Sequence, residues 1–250
     1  IAAIVMIFSS FIVYFAIRFK DALEVQNIST PAPVEIPSLS DLPAKLRRAY
    51  LLFITALVFL NFGRNSISII SSLFLADSTA FGATGEQIAL YSNIGSIASM
   101  ISGLLVGSVV ADSDDNKVLV FGAFLSMTAI AWLIISPTFL LTILSSFLIG
   151  ASHVIIESSS YSIVAHMAPA EYRGRLFAYY NATFFLSWGI AATLVTGPVA
   201  DFLISVGFTN ADAYRGSFVA AIALILVGIG VLVTSIRFMK ENLEFKSRGN

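Results

Sequence analysis

Long apolar runs separated by short polar loops dominate the chain after residue 48. Six of these runs each approach the roughly 20 residues that a helix needs to cross about 30 Å of hydrocarbon. They extend approximately over Tyr50 to Phe74, Gln87 to Ala111, Val118 to Ser136, Leu140 to Ala165, Leu176 to Val206 and Ser217 to Arg237. A further apolar run, IAAIVMIFSSFIVYFAI, occupies residues 1–17. The pattern predicts an all-α, polytopic membrane helical bundle with seven transmembrane helices.

The segment between the first apolar run and the others is polar and rich in proline. Residues 18–48 contain Pro31, Pro33, Pro37 and Pro43 among Ser, Thr and acidic residues, a composition that cannot bury a core. We therefore predict a transmembrane helix at 1–17, a linker at 18–48, a six-helix bundle at 49–237 and a tail at 238–250.

Basic residues set the expected orientation, because Lys and Arg accumulate in cytoplasmic loops. Apart from Arg64 and Arg215, all of them fall on one side of the predicted alternation: Arg18, Lys20, Lys45, Arg47, Arg48, Lys117, Arg173, Arg175, Arg237, Lys240, Lys246 and Arg248. The linker and the C-terminal tail are therefore expected in the cytoplasm.

Composition agrees with a protein whose surroundings are the lipid bilayer. Hydrophobic residues make up 57% of the chain and charged residues 12%, and the mean hydropathy is +0.88. These values exclude a soluble domain. A net charge of -1 gives no indication of a nucleic-acid partner. The absence of cysteine from the sequence excludes disulfides and thiolate metal ligands.

An ionisable pair lies inside the run from Leu140 to Ala165. His153 and Glu157 are spaced i and i+4, so they share one helical face, with Tyr161 one turn further along. A carboxylate within hydrocarbon costs several kcal/mol unless it is paired, hydrated or protonated. Such residues usually line a pathway or a packed polar contact. We take these three residues as candidates for a solute or proton pathway.

Arg64, with Asn61 beside it, is the basic residue inside a predicted span. At 1.5 Å of rise per residue, Arg64 and His153 both lie about 18 Å from the cytoplasmic edge, and Glu157 about 12 Å from it. Arg64 and Glu157 are thus expected within reach of each other. Two interpretations remain open: a transport site, or a fixed buried ion pair that joins two helices.

Small residues recur every four positions in two of the runs. Gly95, Ser99, Gly103 and Gly107 predict close helix packing, and Gly189, Thr193 and Gly197 repeat the pattern. Pro198 follows Gly197 and removes a backbone donor, which predicts a bend of the helix near its outer end. Two interpretations remain open for this bend: it takes part in gating, or it is static.

The loop PAEYRGR, with Pro169, Glu171, Arg173, Gly174 and Arg175, connects the fourth and fifth runs after the linker. In this loop the chain resembles the C-terminal half of a major facilitator superfamily transporter of the drug-efflux-like branch. The loop matches the family's loop between helices ten and eleven.

Three further segments carry the resemblance. In SVVADSDDNK, Asp112 and Lys117 match the family's loop between helices eight and nine, while the glycine expected at residue 108 is a serine. Gly197 and Pro198 resemble its Gly-Pro pair on helix eleven, and residues 212–218 resemble its entry to helix twelve.

The resemblance implies an alternating-access transporter in which two six-helix bundles enclose a central cavity. This chain is then expected to hold the last helix of the first bundle and all of the second, with an N-terminal six-helix bundle as its missing partner. The helices that line the cavity in the family are those that carry Arg64 here, and His153 with Glu157. Gating loops are implied at Asp112 and Lys117 and at the PAEYRGR loop.

The function expected from this combination is secondary active transport of small solutes in the inner membrane of a prokaryotic cell. Proton-coupled efflux of drug-like or amphipathic compounds is the first interpretation, with Glu157 as the titrating group and an aromatic wall formed by Tyr180, Phe184, Phe185 and Trp188. A proton-coupled importer of a sugar or an organic anion is the alternative. No enzymatic activity, cofactor or metal site is predicted.

A seven-helix receptor or retinal protein is a more distant alternative. A retinal protein needs a lysine inside the membrane for its Schiff base, yet all five lysines lie in predicted loops or the tail. An intramembrane hydrolase is disfavoured because the sequence contains neither HExxH nor GxSxG.

Overall fold

Six helices long and apolar enough to cross a membrane make up the part of the chain that the structure describes. The structure is a computed structural model, and it describes residues 38–111 and 114–243. No strand occurs in these residues, so the predicted all-α helical bundle is confirmed. The predicted helix at 1–17, most of the linker and the end of the tail lie outside the described residues.

The helices are numbered here in chain order. They are α1 (Ala44–Ala76), α2 (Gly85–Ala111), α3 (Asp115–Ile135), α4 (Phe139–Met167), α5 (Arg173–Ala191), α6 (Gly197–Ser205) and α7 (Asn210–Leu243). A π-helical turn at Ala192–Thr196 joins α5 to α6 within a single span, and short 3-10 turns occupy Leu39–Asp41 and Ala170–Tyr172.

Helix ends extend beyond the apolar runs from which they were predicted. Helix α1 begins at Ala44 rather than Tyr50, directly after Pro43, and so takes the last basic residues of the predicted linker into its first turns. Helix α7 begins at Asn210 rather than Ser217. There the Thr209 hydroxyl accepts a hydrogen bond from the Asp212 amide at 3.2 Å. Polar capping turns of this kind are invisible to a hydropathy pattern.

Basic residues collect at one end of the bundle, which we call the basic end. Its described members are Lys45, Arg47, Arg48, Lys117, Arg173, Arg175, Arg237 and Lys240. The opposite end, here the acidic end, carries Asp77, Glu86, Asp201 and Asp212 together with Arg215. This is the separation that the predicted alternation requires.

Helix packing leaves a gap on one side of α1. Helix α1 packs along α7 and against α5, whereas α2 and α3 both pack on α4. Helix α3 also meets α7, which joins the two groups. Contacts between α1 and either α2 or α4 are few. Space therefore remains between α1 and the α2–α4 pair.

Helices α2 and α4 approach each other most closely at Gly95 and Gly150. A Cβ placed on Gly150 would lie 2.8 Å from the Gly95 carbonyl carbon and 3.0 Å from its Cα. The Ser99 hydroxyl donates to the Gly150 carbonyl at 2.9 Å. The predicted packing role is thus confirmed for Gly95 and Ser99. It is wrong for Gly107, since no described atom lies within 4 Å of a Cβ placed there.

The irregular part of the fifth span is the π-helical turn Ala192–Thr196, which directly precedes Gly197 and Pro198. Proline lacks the N–H that an α-helix would use at this point, so the backbone pairs in a wider register. The Thr196 hydroxyl donates to the Ser66 carbonyl of α1 at 2.6 Å. The Ser217 hydroxyl of α7 donates to the Thr196 carbonyl at 2.8 Å. Neighbouring helices therefore hold the predicted bend site on both sides.

Gly189, the first residue of the second pattern of small residues, does not contact another described helix. No described atom lies within 4 Å of a Cβ placed on Gly189, and that part of α5 is exposed. The packing that Gly189, Thr193 and Gly197 predicted is therefore wrong at Gly189.

Asp77 organises the turn that ends α1. Its carboxylate accepts hydrogen bonds from the Thr79 hydroxyl, the Thr79 amide at 2.8 Å and the Asn210 side chain at 3.1 Å. The hydrogen bonds from Thr79 are the main reason that the pKa of Asp77 lies below its usual value.

A lowered pKa in the folded state stabilises the protein above the unfolded pKa and loses that contribution as pH falls through the folded value. Asp77→Asn should therefore lower the melting temperature slightly at neutral pH, and the difference from the native protein should shrink in acid. Thermal unfolding in detergent across this pH range measures the effect. A difference that is equal at all pH values would contradict the role of the charge.

Candidate functional site

A cavity of about 710 Å³ occupies the gap between α1, α2, α4 and α5. Arg64 and Asn65 of α1 line it, as do His153 and Glu157 of α4 and Trp188 of α5. These helices are each long enough to span a bilayer, so the cavity lies within the membrane-crossing region. The structure thus brings together three of the five residues predicted for the pathway.

Arg64 lies in the cavity wall, and no acidic side chain among the described residues contacts it. It is 3% exposed. Its Nη1 donates to the His153 carbonyl at 3.2 Å and its Nη2 to the Asn61 side-chain oxygen at 3.3 Å. The guanidinium also lies over the Phe184 ring, 5.2 Å from the centroid. Its Nε, although buried, has no hydrogen-bond partner among the described residues.

Glu157 interacts with His153 rather than with Arg64. The His153 Nε2 lies 3.6 Å from a Glu157 carboxylate oxygen, and the Glu157 side chain is 50% exposed. The described residues contain no ion pair between Arg64 and Glu157. Arg64 reaches α4 at the level of the His153 backbone, one helical turn from Glu157. His153 therefore contacts both charged groups, through its backbone and its ring respectively.

Asn61 accepts a hydrogen bond from Arg64 but does not itself line the cavity. It is 1% exposed, and its amide donates to the Thr183 hydroxyl of α5 at 3.4 Å. The next asparagine, Asn65, lines the cavity and donates to the Ser187 hydroxyl at 2.8 Å. Sequence reasoning selected Asn61 and missed Asn65. The separation of four residues could have indicated that the two side chains share the face of α1 toward α5.

Tyr161 lies outside the cavity, toward the basic end. Its ring centroid is 4.7 Å from that of Phe177 and 6.2 Å from that of Tyr180, and its side chain remains exposed. The buried Tyr180 hydroxyl in turn donates to the Glu157 carbonyl at 3.2 Å. Tyr161, Phe177 and Tyr180 thus form an aromatic cluster next to Glu157.

Of the aromatic residues predicted on α5, Trp188 lines the cavity. The Trp188 and Phe184 rings lie 6.5 Å and 5.9 Å from the His153 ring, and Phe184 is not among the lining residues. Phe185 is 76% exposed and does not line the cavity.

Serine hydroxyls provide most of the remaining polar lining, and sequence reasoning missed them. They are Ser68, Ser71 and Ser72 of α1, Ser92, Ser96 and Ser99 of α2, and Ser146 of α4. Several donate their proton to a helix carbonyl, as Ser92 does to Ile88 and Ser96 to Ser92, both at 3.1 Å. Their oxygens can still accept a hydrogen bond. The spacing of Ser92, Ser96 and Ser99 along one face of α2 was the available signal.

Residues predicted for gating lie at the basic end, apart from Asp112, which is outside the described residues. Lys117 lies in the first turn of α3, Glu171 in the 3-10 turn before α5, and Arg173, Gly174 and Arg175 in the first turn of α5. A different polar contact joins α3 to α4 at this end: the Asp115 carboxylate accepts from Ser162 at 2.7 Å and lies 3.4 Å from His166.

Comparison with known families agrees with this architecture. The model of the Major Facilitator Superfamily matches residues 1–193 and 51–243. The chain belongs to this superfamily. It is therefore an integral membrane protein and a secondary membrane transporter. No curated protein matches the chain.

Proposed function

We propose that this major facilitator protein moves small solutes by proton-coupled alternating access and that Glu157 carries the proton. The supporting observation is the placement of a half-exposed carboxylate beside His153, in a cavity that also contains a buried arginine. The six described spans form the C-terminal bundle in this proposal, and an N-terminal bundle supplies the opposite cavity wall.

Proton coupling follows from the charges in the cavity. When the cavity is open, water hydrates the Glu157 carboxylate. When the cavity closes around a solute, an ionised carboxylate without a direct cation contact is unfavourable by several kcal/mol, and uptake of a proton removes that charge. Opening to the other side restores hydration and releases the proton. His153 contacts the carboxylate and can pass the proton to it.

The lining combines polar groups with a larger apolar surface. Seven serines, Asn65 and Arg64 face the cavity beside Ile67, Ile69, Ile149, Val154, Tyr91 and Trp188. Polar groups that line a closed site are satisfied by a solute that hydrogen-bonds with them. Because Arg64 is a buried cation, we favour an organic anion with an apolar part over a sugar or a drug-like compound. Such a solute accompanied by a proton moves by symport.

The basic end is proposed to face the cytoplasm, in keeping with the preference of Lys and Arg for cytoplasmic loops. In a prokaryotic inner membrane, where the proton gradient points inward, this symport would drive import.

Reconstitution tests the coupling directly. Proteoliposomes containing the protein, with a pH gradient imposed across the membrane, should show solute-dependent dissipation of the gradient beyond that of empty vesicles. A pH-sensitive dye inside the vesicles measures it while a panel of sugars and organic acids is added outside. Solute uptake that proceeds without any movement of protons would contradict the proposal.

A further inference from the structure

We propose that the cavity binds a small organic monocarboxylate, whose carboxylate contacts Arg64, and that one proton on Glu157 accompanies each anion across the membrane. The inference rests on the proposed function for the proton and adds the substrate class and the charge stoichiometry.

The first argument is the unused hydrogen-bonding capacity of Arg64. A guanidinium has five N–H donors, and the structure assigns one to the His153 carbonyl and one to Asn61. Both acceptors are neutral. The Nε is buried and lacks a partner. A buried cation is normally paired with an anion, and the planar donors of arginine match the two oxygens of a carboxylate.

The second argument is the count of charges around the cavity. Among the described residues, the titratable lining residues besides Tyr91 are Arg64, His153 and Glu157. A second positive charge on His153 would be repelled by the nearby Arg64 guanidinium, so Arg64 is the single cation of this described wall. One cation neutralises a monoanion. A phosphate ester, with about two negative charges at neutral pH, would leave a charge without a partner in the closed cavity.

Neutrality then explains why proton and anion must move together. Among the described lining residues of the empty cavity, Arg64 and an ionised Glu157 balance each other. With the anion on Arg64 and a proton on Glu157, the cavity is again neutral. Either ligand alone leaves one net charge, which is unfavourable in a cavity closed to water. The other described titratable groups near Glu157 are the Tyr180 and Tyr161 hydroxyls, and neither is a carboxylate or an amine that would enter this count.

A second polar atom indicates where a hydroxyl of the solute would bind. The Tyr91 hydroxyl is buried in the cavity wall and lies near Ser145, whose own hydroxyl donates instead to the Thr142 carbonyl at 2.7 Å. By the rise per residue of a helix, Tyr91 lies nearer the acidic end than Arg64 does. A solute whose carboxylate contacts Arg64 and whose far end carries a hydroxyl directed toward the acidic end would place that hydroxyl toward Tyr91.

Tryptophan fluorescence provides a binding test that does not depend on protons. Trp188 lines the cavity, and Trp132→Phe removes the other tryptophan of residues 1–250. The reconstituted protein with this substitution, and with phenylalanine in place of any tryptophan that an N-terminal bundle contains, is titrated with phenylacetate, 4-hydroxyphenylacetate, benzoate and butyrate, and with the neutral amide of each. The acids should quench Trp188 and the amides should not. 4-Hydroxyphenylacetate should bind most tightly, and Tyr91→Phe should remove its advantage over phenylacetate.

Two variants of Arg64 distinguish the contribution of its positive charge to binding from that of its paired N–H donors. Arg64→Lys keeps the charge but loses the paired donors, and Arg64→Gln loses the charge. We expect roughly 10- to 100-fold weaker binding of the acids in Arg64→Lys and no detectable binding in Arg64→Gln. Arg237→Gln, which removes an exposed arginine at the basic end, is the matched control and should bind as the native protein does. Retained amounts of folded protein in each variant are checked by gel filtration.

Transport in vesicles tests the stoichiometry. Uptake of the tightest-binding acid driven by a pH gradient should be unchanged when a potassium gradient with valinomycin sets a membrane potential of either sign. Amides that bind as well as the acids, or no quenching by any of the acids at millimolar concentration, would overturn the substrate class. Uptake that follows the membrane potential would overturn the one-to-one coupling. Proton coupling measured with another solute would survive the first of these results.

Discussion

Glu157→Gln is expected to abolish solute accumulation driven by a proton gradient while leaving the amount of folded protein unchanged. The amide has nearly the same shape as the protonated carboxyl but cannot release a proton. Glu157 is half exposed, and its carboxylate lies 3.6 Å from His153 rather than in a tight buried ion pair. Loss of the charge should therefore have little effect on stability.

The informative measurement compares two modes of transport in the same vesicles. Net uptake against a gradient requires a proton to be loaded and released, whereas exchange of labelled for unlabelled solute requires only the loaded carrier to reorient. Since Gln mimics the protonated state, Glu157→Gln should retain exchange at a rate near that of the native protein. Net uptake should fall to the level of empty vesicles.

Glu86→Gln is the matched control for this variant. Glu86 is an exposed carboxylate in the first turn of α2, away from the cavity wall. It should leave both transport modes unchanged. If Glu157→Gln accumulated solute as well as Glu86→Gln does, the proton would have to bind elsewhere, and the role assigned to Glu157 would be rejected.

Sequence patterns predicted the helices well because the bilayer imposes a simple length requirement. All six apolar runs after the linker are helical, and the largest errors are at their ends, where Pro43 and the Thr209–Asp212 cap decide the boundary. A hydropathy pattern detects the segments that are buried in lipid, but it does not detect the polar turns that precede those segments.

The candidate site was only partly predictable, for a reason that concerns helix rotation. Rise per residue placed Arg64 and His153 at the same depth, and they are in contact. Depth alone could not show which side of α4 faces α1. Arg64 therefore meets the His153 backbone instead of the Glu157 carboxylate, and Tyr161 stacks on Phe177 outside the cavity.

The serine lining of the cavity was not predicted, because a single serine in a transmembrane helix usually donates a hydrogen bond to a carbonyl of its own helix. Its presence therefore does not indicate a cavity. Ser92 and Ser96 donate in this way here. They become a polar lining only because α1 stands apart from α2 and α4. That separation depends on which helices pack together, which the sequence does not specify locally.

Gly150→Ala is expected to prevent normal folding of the bundle. A Cβ at this position would overlap the Gly95 carbonyl group, with the Gly95 Cα 3.0 Å away, and these are backbone atoms that no side-chain movement can clear. The α2 and α4 backbones would have to separate. Overpacking usually costs about 1–3 kcal/mol, and we expect a loss at or above that range because rigid backbone is displaced on both sides.

The cavity makes this contact important for function as well as for stability. His153 lies three residues beyond Gly150 on α4, and the Ser99 hydroxyl donates to the Gly150 carbonyl at 2.9 Å. Movement of α4 away from α2 would break that bond and shift His153 relative to Arg64. Protein that does fold in Gly150→Ala should therefore transport poorly.

Gly189→Ala distinguishes this effect from the general consequence of adding a methyl group to a membrane helix. No described atom lies within 4 Å of a Cβ at Gly189, so the substitution should be neutral or slightly stabilising, because alanine favours helix over glycine by about 1 kcal/mol. Yield of monodisperse protein and melting temperature in detergent compare the two variants. Equal melting temperatures for Gly150→Ala and Gly189→Ala would show that α2 and α4 are not in backbone contact, and the position assigned to His153 beside Arg64 would then lose its support.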